Sequence, residues 1–300
     1  MDMTQNKCCR HGANLRRRRR RRRKILRSII FSCSIIAVAV FVAVGSSMIK
    51  SGDGKTNRYD VEAGNNTYDN AVIENSKISG KNKIQNNQSM LDDIMNSTQY
   101  PKQLKDLALK NEEALEFVYD YPAEHVKEHT IDLTEEASMD SVPLFVQWDK
   151  RWGYEKYSGN FFAASGCGPT TLSMVVVYLT HNREASPIAV AKYSKEAGYS
   201  VDGSGSSWTL ISEGCMHYGV KAKAVALDES RMKAELDAGH PIVINVGPGD
   251  FTDTGHFMVI TGYDDEGFSI NDPNSIEKSG KRWLFKNISS QIRAVWSMYV

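Results

Sequence analysis

Residues 28–49, SIIFSCSIIAVAVFVAVGSSMI, run for 22 positions without a charged side chain. At about 1.5 Å per helical residue, that length crosses a bilayer core of about 30 Å, so the pattern predicts one transmembrane anchor. The texture then reverses. Residues 50–95 are rich in Asn, Ser, Lys and Gly with scattered apolar side chains. Such a stretch buries too little surface to offset chain entropy and reads as a flexible polar stalk. A helical lead-in follows over 96–135. Leu104, Leu107 and Ala108 share one helical face. After Asn111, an N-cap with Glu112 and Glu113 in the first turn, Leu115, Val118 and Tyr119 form a second, and Pro122 closes the pair.

The folded domain is expected over 140–300. VPLFVQWDKRW, from Val142, reads as extended chain. GPTTLSMVVVYLT is apolar almost all round, which predicts a buried helix with Pro169 at its first position. Further helices are expected at 207–218 and 228–238, closed by Gly219 and Gly239. The runs VKAKAVAL, PIVINV, HFMVITGY, GFSIND and RAVWSMYV have strand character. Helices first and mostly antiparallel strands afterwards make an α+β domain.

Charge changes the picture at the N-terminus. The whole chain carries a formal net charge of +1, but residues 1–27 hold twelve lysines and arginines against Asp2 alone. A basic tail directly before an apolar span is a topology signal: it keeps the N-terminus cytoplasmic and sends the remainder outside. Anionic headgroups attract the same arginines, so no nucleic-acid partner is needed to explain them. The small residues of AVGSS (43–47) leave cleavage of a signal peptide as the competing reading.

The candidate chemistry begins in AASGCGPTTLSM (163–174). A helix opening at Pro169 would set Cys167 at its N-terminus, among unpaired N–H groups and the positive dipole end, where a thiol's pKa falls. A reactive cysteine needs a base. His256 follows a glycine and opens an apolar strand in DTGHFMVITGYDDEGFSINDPNS. A hairpin turning near 264–267 brings Asp272 opposite some residue in 256–261, within reach of the His256 ring, with side-chain parity left open. Thiol, imidazole and orienting acid together are what a nucleophilic cysteine enzyme requires.

VPLFVQWDKRWGYEKY, SGCGPTTLSMV, GPGDFTDTGHFMVITG and NDPNS, in this order, resemble the family-thirty-nine-like cysteine peptidases. These are a papain-like group related to the domains that trim double-glycine bacteriocin leaders. The match spans about 142–300, and the helical pair before it resembles the lead-in of Gram-positive surface members. The resemblance implies a papain-like fold, with the cysteine on a helical part and the histidine and acid on an antiparallel sheet. It makes Cys167 the nucleophile, His256 the general base, Asp272 the orienting acid and Gln147 an oxyanion donor. Gln147 stands 20 residues before Cys167, a longer spacing than in leader-trimming relatives. The His and Cys spacings, Cys215 and His217 included, do not suit a zinc site, so no metal and no cofactor are expected.

The expected function is therefore a membrane-anchored, extracytoplasmic cysteine peptidase acting on a peptide or protein. The alternatives are a cell-wall peptide hydrolase and an inactive binding module on the same fold. A Cys167–Cys215 disulfide also remains open, because both cysteines lie on the oxidising side. His217 and His240 read as helix-end residues, and the Gly-Ser-Gly of 203–205 as a loop.

Overall fold

A computed structural model describes residues 84–300. The basic tail, the predicted span 28–49 and most of the predicted stalk lie outside the described residues. None of the described helices is long and apolar enough to cross a membrane.

The lead-in starts earlier than the composition suggests. Residues 84–96, of which 84–95 are assigned above to the stalk, form helix α1, and Ile94 on it is fully buried. The reason is a spacing that a composition average hides: Met90, Leu91 and Ile94 share a face and pack against the next helix. α2 (Lys102–Lys110) buries Leu104, Leu107 and Ala108 as expected. A 3-10 turn over Glu112–Ala114 leads into α3 (Leu115–Tyr119). There Phe117, not Tyr119, joins Leu115 and Val118 inside.

The following domain is α+β. Helix α4 spans Cys167–Thr180, and every residue from Gly168 to Val177 is buried. Cys167 is thus the first helical residue, and Pro169 sits third rather than first. Its missing N–H costs nothing there, because first-turn donors have no partner within the helix. Helix α5 (Pro187–Glu196) escapes the sequence pattern, since its buried side is only Pro187, Val190, Ala191 and Ser194. Its start is signalled locally: Pro187 is in the first turn and the Ser186 side chain accepts from Ala189 N. The helix expected over 207–218 is broken into Thr209–Ser212 and a 3-10 turn, Gly214–Tyr218. Gly214 at the break packs against the ring of Tyr199, which leaves no slack for a continuous helix. α6 (Glu229–Asp237) begins at Asp228, whose carboxylate accepts from Arg231 N.

Six antiparallel strands form the sheet: β1 (Lys221–Ala224), β2 (Ile242–Val246), β3 (His256–Asp264), β4 (Gly267–Asn271), β5 (Arg282–Trp283) and β6 (Ile292–Tyr299). Their spatial order is β1-β6-β2-β3-β4-β5. Between β4 and β5 lies a short helix, α7 (Ile276–Ser279). One face of the sheet offers Val243, Phe257 and Val259 to α4. The other packs Ile244, Met258, Ile260 and Ile270 with Met232 of α6. Burial on both faces explains why β2 and the start of β3 read as unbroken apolar runs.

Candidate active site

Three pieces of chain meet at the N-terminus of α4. Cys167 is half-buried at the helix start, His256 opens β3, and Asp272 follows β4. The ladder explains how the last two meet. At the turn, Asp264 pairs with Gly267 and Tyr263 with Phe268. Carried straight along, that register would set Asp272 across from Val259, on the sheet face away from His256. A β-bulge at Thr261 intervenes: Ile260 pairs with Ile270 and Gly262 with Ser269. The one-residue slip moves Asp272 onto the face of Met258, diagonal to His256.

His256 Nε2 lies 2.7 Å from Asp272 Oδ1. Both are buried, the acid completely. The ring nitrogen that does not meet the acid is Nδ1, and Cys167 and His256 lie near enough to shift each other's protonation. Burial by itself would push the Cys167 thiol up. The neighbouring His256, with help from the Phe257 and Gly168 backbone, outweighs it and holds the thiol below its ordinary value. Burial likewise opposes a charged His256, yet the Asp272 carboxylate and the Cys167 sulfur raise the imidazole to about 10. Thiol down and imidazole up favour a thiolate–imidazolium pair. Cys215 is the contrast: it is fully buried, and that burial pushes its thiol to about 11. Both cysteines are free, so the disulfide is absent.

Gly168 after the cysteine is obligatory for a packing reason. A Cβ there would fall 2.5 Å from Ser206 Oγ and 2.7 Å from Ser206 Cβ. Ser206 in turn receives or gives a hydrogen bond at Tyr157 Oη, 2.6 Å away.

Gln147 is buried beside these groups. Its Nε2 donates to Ala163 O at 2.7 Å and more weakly to Asn274 Oδ1 at 3.4 Å. Its backbone N–H donates to Pro273 O, which ties it to the acid's loop.

Asn274, within the NDPNS motif, was not singled out in the sequence. Its backbone N–H donates to Asp272 Oδ1 at 2.8 Å, the same oxygen that His256 uses. Its carbonyl accepts from Trp148 Nε1 and from Asn111 Nδ2. The only signal in the chain was an Asn two residues after an acid, a common local turn. His217 stacks on Tyr193 and His240 pairs with Glu235, both away from this cluster. Among the described residues, no group of three or more His, Cys, Asp or Glu side chains is arranged to hold a metal ion.

The Peptidase_C39 like family model matches residues 139–300, more than half of the chain. The chain belongs to the Peptidase_C39 like family. No curated protein sequence matches it. Two solved structures are similar to this family member. One is the peptidase domain of Streptococcus ComA, a bi-functional ABC transporter involved in a quorum sensing pathway. It is 19% identical over 45% of this chain and 90% of its own, with a TM-score of 0.36. The other is a protein from Bacillus anthracis described as a C39-like peptidase. It is 17% identical over 53% of this chain and 95% of its own, with a TM-score of 0.34. The family match begins after α3, so the lead-in helices lie outside it.

Proposed function

We propose that this chain is a cysteine peptidase that hydrolyses peptide bonds through Cys167, His256 and Asp272 on a papain-like fold. One observation carries the reading: the buried His256–Asp272 contact at 2.7 Å, beside a Cys167 thiol that His256 holds below its ordinary pKa. Buried titratable groups that shift one another strongly cluster at functional sites.

In this mechanism the Cys167 thiolate attacks the substrate carbonyl carbon, and the electron pair of the C=O bond moves to oxygen. Collapse of that adduct expels the amine, which takes a proton from the His256 imidazolium and leaves an acyl-cysteine. Water then attacks the thioester, giving its proton to the now neutral His256, and the thiolate is released. Asp272 keeps the proton on Nε2, so that Nδ1 serves the reaction. The Cys167 N–H has no partner within the helix and is the proposed oxyanion donor. Gln147 would join it by releasing Ala163 O.

The location is part of the proposal. A basic tail followed by 22 uncharged residues supports a single-pass anchor with the peptidase domain outside the membrane. Proteolysis of intact and of permeabilised cells tests it, since an outside domain is digested in both.

Activity is tested by incubating the protein with a mixed peptide library and reading new termini by mass spectrometry. The wild type is expected to cleave and Cys167→Ala to be silent. Equal cleavage by both would end the proposal.

A further inference from the structure

The lead-in helices touch the site from behind. Glu113, which the sequence assigns to the first turn of its own helix, spends its carboxylate elsewhere. Its Oε2 accepts from the backbone N–H groups of Ile276 at 2.8 Å and Glu277 at 3.1 Å, and Oε1 accepts from Ser275 Oγ. It thereby supplies the first turn of α7 with acceptors from a segment more than 160 positions away. Asn111, next to it, donates from Nδ2 to Asn274 O at 2.9 Å and to Asn274 Oδ1 at 3.1 Å, while its Oδ1 accepts from Glu113 N.

Asn274 and Ser275 are the residues that shape the acid's loop. Asn274 N–H binds Asp272 Oδ1, and Ser275 bridges back to Asp272. The contacts therefore form one chain: Asn111 and Glu113 to Asn274 and Ser275, then Asp272, His256 and Cys167. The lead-in is seated firmly enough for this. Phe117 stacks on Tyr154 with centroids 4.2 Å apart, Tyr154 Oη donates to Phe117 O, and Lys150 pairs with Asp120 at 2.6 Å.

We propose that the lead-in completes the active site, with Asn111 and Glu113 acting as positioning residues that hold the 272–276 loop so that Asp272 stays on His256. The inference rests on the reading of Cys167, His256 and Asp272 given above. It means that residues outside the family's matched region set the reactivity of its cysteine. An isolated 139–300 segment would hold the three side chains without the brace behind the acid.

The test is the rate of Cys167 alkylation by iodoacetamide against pH, measured on the full chain. Cys167 and Asp272 are the titratable side chains facing the His256 ring, with Glu113 behind the acid's loop. Four variants are compared with wild type: Asn111→Asp, Glu113→Ala, Glu113→Gln and Lys150→Met. Asn111→Asp keeps the oxygen that accepts from Glu113 N and sets a carboxylate oxygen, an acceptor, against Asn274 O and Oδ1. The cap is kept while the link to Asn274 breaks, which covers the case that Glu113→Ala does not fold.

The expected result is a fall of about fivefold or more in the rate at pH 6 for Asn111→Asp and Glu113→Ala. At pH 10, where the thiol is ionised regardless, their rates should agree with wild type within about twofold. Glu113→Gln, which keeps one acceptor oxygen, should fall between. Lys150→Met loosens the lead-in away from the loop. It should lower the melting temperature while tracing the wild-type pH curve, which separates positioning from general stability. If Asn111→Asp and Glu113→Ala follow the wild-type curve while wild type shows an activated thiol, the inference fails and the peptidase reading stands. If wild-type Cys167 titrates like an ordinary thiol, that reading fails and the inference with it.

Discussion

His256 Nε2 and Asp272 Oδ1 meet at 2.7 Å from opposite strands of one hairpin, and both groups are shielded from water. The carboxylate is what keeps the imidazole charged against its own burial. Asp272→Asn preserves the shape and removes that charge. The pKa of His256 should then drop from about 10, so the imidazolium disappears at lower pH and the alkaline limb of the activity profile moves down. Loss of imidazolium also releases Cys167 upward, which raises the acidic limb. The usable window narrows from both sides, and kcat/KM should fall by about a hundredfold to ten-thousandfold. A pH–rate profile of the variant beside wild type checks both limbs.

Two thiols in one domain should behave oppositely. Cys167 is held below the ordinary thiol value and is partly accessible, whereas Cys215 is sealed and pushed up to about 11. Of these two, brief iodoacetamide treatment of the native protein at pH 6.5 should label Cys167 and spare Cys215. Labelling of Cys215 should appear only after denaturation. Peptide mapping by mass spectrometry distinguishes the two, and equal native labelling would contradict the thiolate assignment.

Gly168→Ala should cost about 1–3 kcal/mol, because its new Cβ lands on Ser206 Cβ at 2.7 Å and neither backbone can give way cheaply. Thermal unfolding measures it. Removing the obstacle in the double variant Gly168→Ala, Ser206→Gly should recover part of the loss, and a double variant less stable than the sum of both changes would argue against this contact.

Phe117→Ala should cost about 3–5 kcal/mol. The ring is buried, stacks on Tyr154, and would be only 2.7 Å from a Cβ at Gly153, so it fills the seam between lead-in and peptidase domain. Urea unfolding should show a lower midpoint. A surface-like effect under about 0.5 kcal/mol would mean that the lead-in is not packed there.

Much of the architecture was legible because it depends on nearest neighbours along the chain. The apolar run after Cys167 was long and uniform enough to read as a buried helix. The strand runs from residue 241 onward carried both their hydrophobicity and their turns. α1 was lost because three apolar residues in a polar stretch vanish in an average, and α5 because its inner face is small. The break at Gly214 depended on Tyr199, which no local pattern reveals.

At the site, residue types and order named Cys167, His256 and Asp272 as the cysteine, base and acid to consider, since each sits in a local setting suited to that chemistry. Their meeting was decided elsewhere. Side chains alternate along a strand, so one extra residue at Thr261 decides which face Asp272 occupies, and a bulge leaves no periodic trace. Asn111 and Glu113 were visible only as a helix cap and its first-turn acid. Hydrogen bonds across more than 160 positions depend on how the chain packs back on itself, and packing, not sequence proximity, brought them behind the acid.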